Sequence, residues 1–115
     1  MMRICFILFL TTSILFSDEF KNLKVLDIDD RSELKKYMKS ISKDLGVKCS
    51  HCHHLDDKSI ETSEKDITRE MIKLTRYLND VLNSVEKGHE DFKTFVTCWT
   101  CHHGTLEPEH YRPQN

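Results

Sequence analysis

The chain has 115 residues and a net charge of −2, the size of a single domain with no excess of base. The lack of a basic stripe argues against nucleic acid as a partner. Only 38% of the residues are hydrophobic, and a chain this short buries a small core, so its stability calls for something besides side-chain packing.

Met1-Met2-Arg3 reads as a short basic leader, and Ile4 to Phe16 as the apolar stretch of a secretory signal. That stretch is interrupted by Thr11, Thr12 and Ser13 and is short for a membrane span. The expected signal is 1–17, cut after Ser17, with an uncleaved N-terminal anchor as the alternative because Leu15 is a poor small residue for the cut. Cys5 lies inside this stretch without a lipoprotein-type setting and leaves with it. The exported remainder has 19 acidic residues against 16 basic, a net charge of −3.

Residues 18–29 read as a polar, extended lead-in to a domain spanning 30–108. Asp30, with Glu33 three residues later, is a helix start of the capping-box kind. Leu34, Tyr37 or Met38, Ile41 and Leu45 follow at helical steps, and Gly46 is the stop. Residues 55–62 form an acidic connection. Ser63 and Asp66 open a second helix with the stripe Ile67, Met71, Leu74, Leu78, Val81, Val85, whose spacing predicts one buried face. Gly88 is its expected end, Glu90 to Phe95 a short third helix, and 109–115 an irregular tail after Pro108. Nothing alternates as a strand does.

Cys49-Ser50-His51-Cys52-His53 and Cys98-Trp99-Thr100-Cys101-His102 are two copies of Cys-x-x-Cys-His, the attachment pattern of c-type haem. Cys49, Cys52, Cys98 and Cys101 would form thioethers with porphyrin vinyl groups, and His53 and His102 would be proximal iron ligands. They use every cysteine outside the signal. Two other readings stand beside this one. A zinc site could join the Cys-x-x-Cys pairs across the 45 residues between Cys52 and Cys98, although zinc needs no histidine after each pair. In an exported chain, disulfides are the third option.

Each half is a helix with one methionine, a glycine stop, then the motif, so the layout repeats twofold. Met38 and Met71 are the candidate sixth ligands, although a methionine on an apolar stripe is also ordinary core filler. His89 is the rival distal ligand. His54 and His103 directly follow the proximal histidines and are badly placed to reach over the same ring, while His51 and His110 read as solvated. Tyr37, Tyr77, Phe92, Phe95 and Trp99 suit either haem edges or core. The acids of 27–31 and of Asp56-Asp57 read as solvated loops, or as a docking face for a basic partner. No Ser/His/Asp arrangement is present.

Several of these runs resemble the photosynthetic reaction centre cytochrome c subunit family. Leu45-Gly46-Val47-Lys48-Cys49-Ser50-His51-Cys52-His53 is similar to its first haem segment. Thr68-Arg69-Glu70-Met71-Ile72 with Asn79 is similar to its ligand helix, and Val96-Thr97-Cys98-Trp99-Thr100-Cys101-His102-His103-Gly104 to its second segment. The resemblance runs from about Leu34 to Pro108. It implies two haems about a local pseudo-twofold axis, each under a helix whose methionine is the axial ligand. Met38 would then serve the His53 haem and Met71 the His102 haem. The chain departs from the family pattern in having two motifs rather than four, and in placing His103 where arginine is usual.

The expectation is an all-α, small dihaem c-type cytochrome with two main helices, each packing on a haem. It would carry two haem c groups, reside in the periplasm and pass electrons to redox partner proteins, among them a membrane electron-transfer complex. A dihaem peroxidase or reductase with one open iron position is the enzyme alternative.

Overall fold

A computed structural model of the chain describes residues 20–89, 91 and 93–109. The expected signal, Cys5, Phe92 and His110 lie outside them. Helix α1 spans Arg31–Leu45. Asp30, in extended backbone, accepts a hydrogen bond from the Glu33 amide at 2.7 Å, which satisfies one of the free N–H groups of the first turn. Gly46 closes the helix in the left-handed region at φ 64°, with its N–H on Lys43 O (3.2 Å) and the Val47 N–H on Ser42 O (3.0 Å). This paired closure needs a residue without a Cβ penalty at positive φ.

Helix α2 spans Ser63–Glu86. Its cap is Thr62, one residue earlier than the sequence pattern suggests, with Oγ1 accepting from the Lys65 amide at 3.2 Å. It ends without a left-handed glycine. Lys87 is right-handed, and Gly88 and His89 bond back to Val85 O and Glu86 O in tighter turns.

The third helix expected at 90–95 does not form among the described residues. The Thr94 amide instead bonds Glu86 Oε1 at 2.8 Å, tying the run to the end of α2. The short helix α3 comes later, at Cys98–His102, where Thr97 and Thr100 form a reciprocal capping box. No strand occurs among the described residues, so the protein is all-α there. No described helix is long and apolar enough to cross a membrane.

The core is small: Leu26, Ile41, Leu45 and Ile72 are buried, and Leu34, Tyr37, Met38, Val47 and Cys98 pack on it half-buried. The lead-in is therefore more than a polar approach. Its Leu23, Val25, Leu26 and Ile28 lie on the core, Arg76 Nη1 donates to Val25 O at 2.5 Å, and Asn22 Nδ2 to Ser59 O at 2.7 Å.

The apolar stripe of α2 also departs from expectation. The side of α2 that meets the core carries Ile72 and Lys65, whereas Ile67, Met71, Leu74, Leu78, Val81 and Val85 stand exposed on the polypeptide. One residue step turns a helix by about 100°, so Ile72 and Met71 look in different directions.

Helix α1 packs against α3, and the tightest approach lies between the loops that follow them. The Gly104 amide donates to Asp44 O at 2.9 Å. A Cβ on Gly46 would stand 2.0 Å from the Gly104 carbonyl oxygen. Gly46→Ala therefore meets both a left-handed backbone and a backbone clash. Denaturant unfolding should show a loss of roughly 2–4 kcal/mol for it, against about 0.5 kcal/mol or less for Gly88→Ala. Gly88 has room, since a methyl group there would stand 3.6 Å from Val85 O, an ordinary contact distance.

Candidate haem-binding centre

Both motifs sit on single helical turns. Cys49–His51 is a 3₁₀ turn, closed by bonds from the Cys52 and His53 amides to Cys49 O (3.3 and 3.0 Å). The second motif is α3 itself. Cysteines three residues apart on such a turn share one side of it. Cys49 and Cys101 are exposed, and Cys52 and Cys98 half-buried, with burial pushing both of the latter thiols up. All four thiols are free, which does not match the disulfide reading. Among the described residues no three His, Cys, Asp or Glu side chains converge as a metal site, so the two Cys-x-x-Cys pairs do not meet as zinc knuckles.

The proximal candidates share one local device. His53 Nδ1 lies 3.3 Å from Lys58 O, and His102 Nδ1 lies 3.1 Å from Thr105 O. A carbonyl oxygen only accepts, so Nδ1 carries the proton in both rings. Nε2 is left with its lone pair, the tautomer a metal-ligating histidine needs. Burial also lowers the His53 pKa, which favours the neutral ring.

Each long helix is tied to the approach of the motif that follows it. Ser42 Oγ of α1 donates to Val47 O, two residues before Cys49. Asn79 of α2 donates to Val96 O (2.8 Å) and accepts from the Val96 amide (2.7 Å), two residues before Cys98. The methionines lie on these same helices. Met38 is half-buried beside the core, and Met71 is 41% exposed on the α2 stripe. From Ile67 to Val85 that stripe runs about 27 Å along the helix.

A porphyrin fits this donor set. A pair of thiols and an imidazole with its Nε2 lone pair free at each motif, beside an uncovered apolar helix face, suit covalent haem. The same face would be costly in water with nothing against it.

The loop after the first motif is clamped to α2 by residues whose role is not evident from the sequence pattern. Thr62 Oγ1 donates to Cys52 O at 2.8 Å while capping α2. Lys65 is buried, with Nζ on Lys58 O (2.6 Å) and Ile60 O (2.7 Å). Arg69 grips Glu61 with two bonds (2.6 and 3.1 Å) and Asp66 with one (2.8 Å), and Lys24 also meets Glu61 at 2.9 Å. Arg69, then Lys24 and Asn22, hold the Glu61 carboxyl far below the usual carboxylate range. One sequence signal was there to find: a lysine in the first turn runs against the helix dipole and needs a separate reason.

The remaining candidates are dispersed. His51 and His54 are exposed, and His89 is exposed in the turn after α2. His103 caps α3 at φ 49°, its ring edge-on to Trp99 with centroids 5.9 Å apart. Tyr37 lies on the core, while Tyr77, Phe95 and Trp99 are exposed. Of the acids read as solvated, Asp30 caps α1 and Asp57 accepts from the Ser59 amide and hydroxyl (2.9 and 2.5 Å).

A family model for the photosynthetic reaction centre cytochrome C subunit matches residues 11–113, nearly the whole chain, and the protein belongs to that family of c-type cytochromes, which carry electrons on haem.

Proposed function

We propose that the protein is a periplasmic dihaem electron carrier, with one haem c on Cys49, Cys52 and His53 and a second on Cys98, Cys101 and His102. The observation that carries this reading is the repeated bond from histidine Nδ1 to a carbonyl, at Lys58 and at Thr105, which prepares both Nε2 atoms for iron. Bound haem supplies one-electron chemistry, cycling between ferric and ferrous iron.

The chain's own residues hold and tune the two groups. Met38 is the distal ligand of the first and Met71 of the second. The ties Ser42–Val47 and Asn79–Val96 support this pairing, since each joins a methionine-bearing helix to the approach of its own motif. His89 is the alternative distal ligand for the second. The exposed stripe of α2 closes over a porphyrin face and keeps water from it. Residues 30–108 form the dihaem domain, and a membrane electron-transfer complex is the partner the family suggests.

Three measurements test the reading. A pyridine haemochrome assay on matured protein should count two haems per chain, and Cys98→Ser with Cys101→Ser should lower the count to one. No haem, with zinc present instead, would overturn the carrier. Met38→His should lower the midpoint of one haem by roughly 0.1 V, a fraction of the ~0.8 V that axial ligands span. An unchanged redox titration would show that Met38 is not a ligand. Intact mass of the periplasmic protein should place Asp18 at its N-terminus, whereas a membrane-bound full-length chain would mean an anchor.

A further inference from the structure

Lys65 is the one charged side chain buried among the described residues, at 8% exposure. Burying an ammonium is costly unless it is well bonded. Its bonds here go to two neutral carbonyls, Lys58 O at 2.6 Å and Ile60 O at 2.7 Å. No carboxylate among the described residues pairs with Nζ. The nearby Glu61 is taken by Arg69 and Lys24. Asp57 feels the Lys65 charge only through space, so the ammonium has no direct ion pair, and its field is screened less than at the surface.

Its position gives that charge a target. The Lys58 oxygen that accepts from Lys65 Nζ is the oxygen facing His53 Nδ1. One carbonyl thus joins an ammonium to the proximal imidazole. The second site has the same histidine device on Thr105 O, with no lysine on that oxygen. The difference is therefore specific to the first motif.

We propose that Lys65 is a positioning residue of the first haem site, fixing the Lys58 carbonyl under His53 and raising the reduction potential of the iron that His53 holds. This rests on the haem reading above. Two effects carry the same sign. A fixed positive charge favours the ferrous state, which is the less positive one. An acceptor on Nδ1–H makes the imidazole more basic and favours ferric iron, and the ammonium draws electron density from that acceptor and weakens the push. Lys65 contributes no ligand and touches no iron.

Spectroelectrochemical titration of the full dihaem protein tests this, with haem counted per chain first. Fewer than two haems on the unaltered chain would sink the haem reading itself, and the Lys65 proposal with it. With two haems present, Lys65→Met should shift the ferric-to-ferrous ratio of one haem about tenfold toward ferric at fixed potential, a fall of about 59 mV, and leave the other in place. Lys65→Arg, which keeps the charge, should move it much less. Should Lys65→Met lose haem at the first motif, Lys65→Gln gives the same comparison with a neutral donor. The proposal fails if neither couple moves, if both fall together, or if Lys65→Arg falls as far as the neutral variant. The last result would mean that packing rather than charge sets the potential.

Discussion

Four buried apolar side chains, Leu26, Ile41, Leu45 and Ile72, are the whole closed core of the described polypeptide, and none of its side chains is fully enclosed. Burial at about 25 cal/mol per Å² is what offsets the entropy of ordering a chain, and so little burial does so poorly. Meanwhile α2 presents a continuous apolar face from Ile67 to Val85 to the outside. These facts describe a polypeptide shaped around something else. A porphyrin held by thioethers supplies the missing apolar surface and cannot dissociate, so attachment and folding become one problem. This explains why such a short chain can devote much of a 24-residue helix to a face that stands exposed among the described residues.

The two motif-bearing halves must also be fixed relative to one another. The contact between the Gly46 and Gly104 turns does this at the polypeptide level. Each glycine follows an element of a different half and has positive φ, and a side chain on Gly46 would strike the Gly104 carbonyl, while one on Gly104 would press on the Trp99 ring. The Asp44 carbonyl receives the Gly104 amide at the same place. The end of the first helix is thereby joined to the end of the second motif. The ties from Ser42 to Val47 and from Asn79 to Val96 then set each motif against its own helix. Local ties within each half and a backbone crossing between them thus hold the two motifs in place.

What the sequence made legible follows from the range of the interactions involved. Asp30 as a cap and Gly46 as a stop act within one helical turn, and both stand where the pattern placed them. The family was readable because covalent haem attachment needs two thiols and an imidazole within five residues. The packing of the lead-in is not legible in its sequence, because Leu26 is buried by partners far along the chain, Ile41 and Ile72 among them. The stripe of α2 was correctly periodic, but periodicity reports that a face is apolar and says nothing of what covers it. Lys65 is marked in the sequence only by its place in the first turn of a helix, against the dipole. Its bonds run to backbone carbonyls, which every residue has, so no letter in the sequence marks the partners.

The two proximal histidines show how one device yields two different sites. Both rings donate Nδ1–H to a carbonyl a few residues downstream, so both present the same nitrogen in the same tautomer. At Thr105 that oxygen belongs to a tight turn, steadied by the Thr105 hydroxyl bond to His102 O at 2.7 Å. At Lys58 it is shared with a buried ammonium. If both motifs carry haem with the same ligand pair, as proposed, whatever separates the two potentials must come from such outer partners and from burial. If Lys65 acts as proposed, the His53 haem is the better electron acceptor of the two, and an electron entering at the His102 haem moves downhill within the chain. Direction would then be set by one lysine in the first turn of α2, where a helix dipole alone would favour an acid.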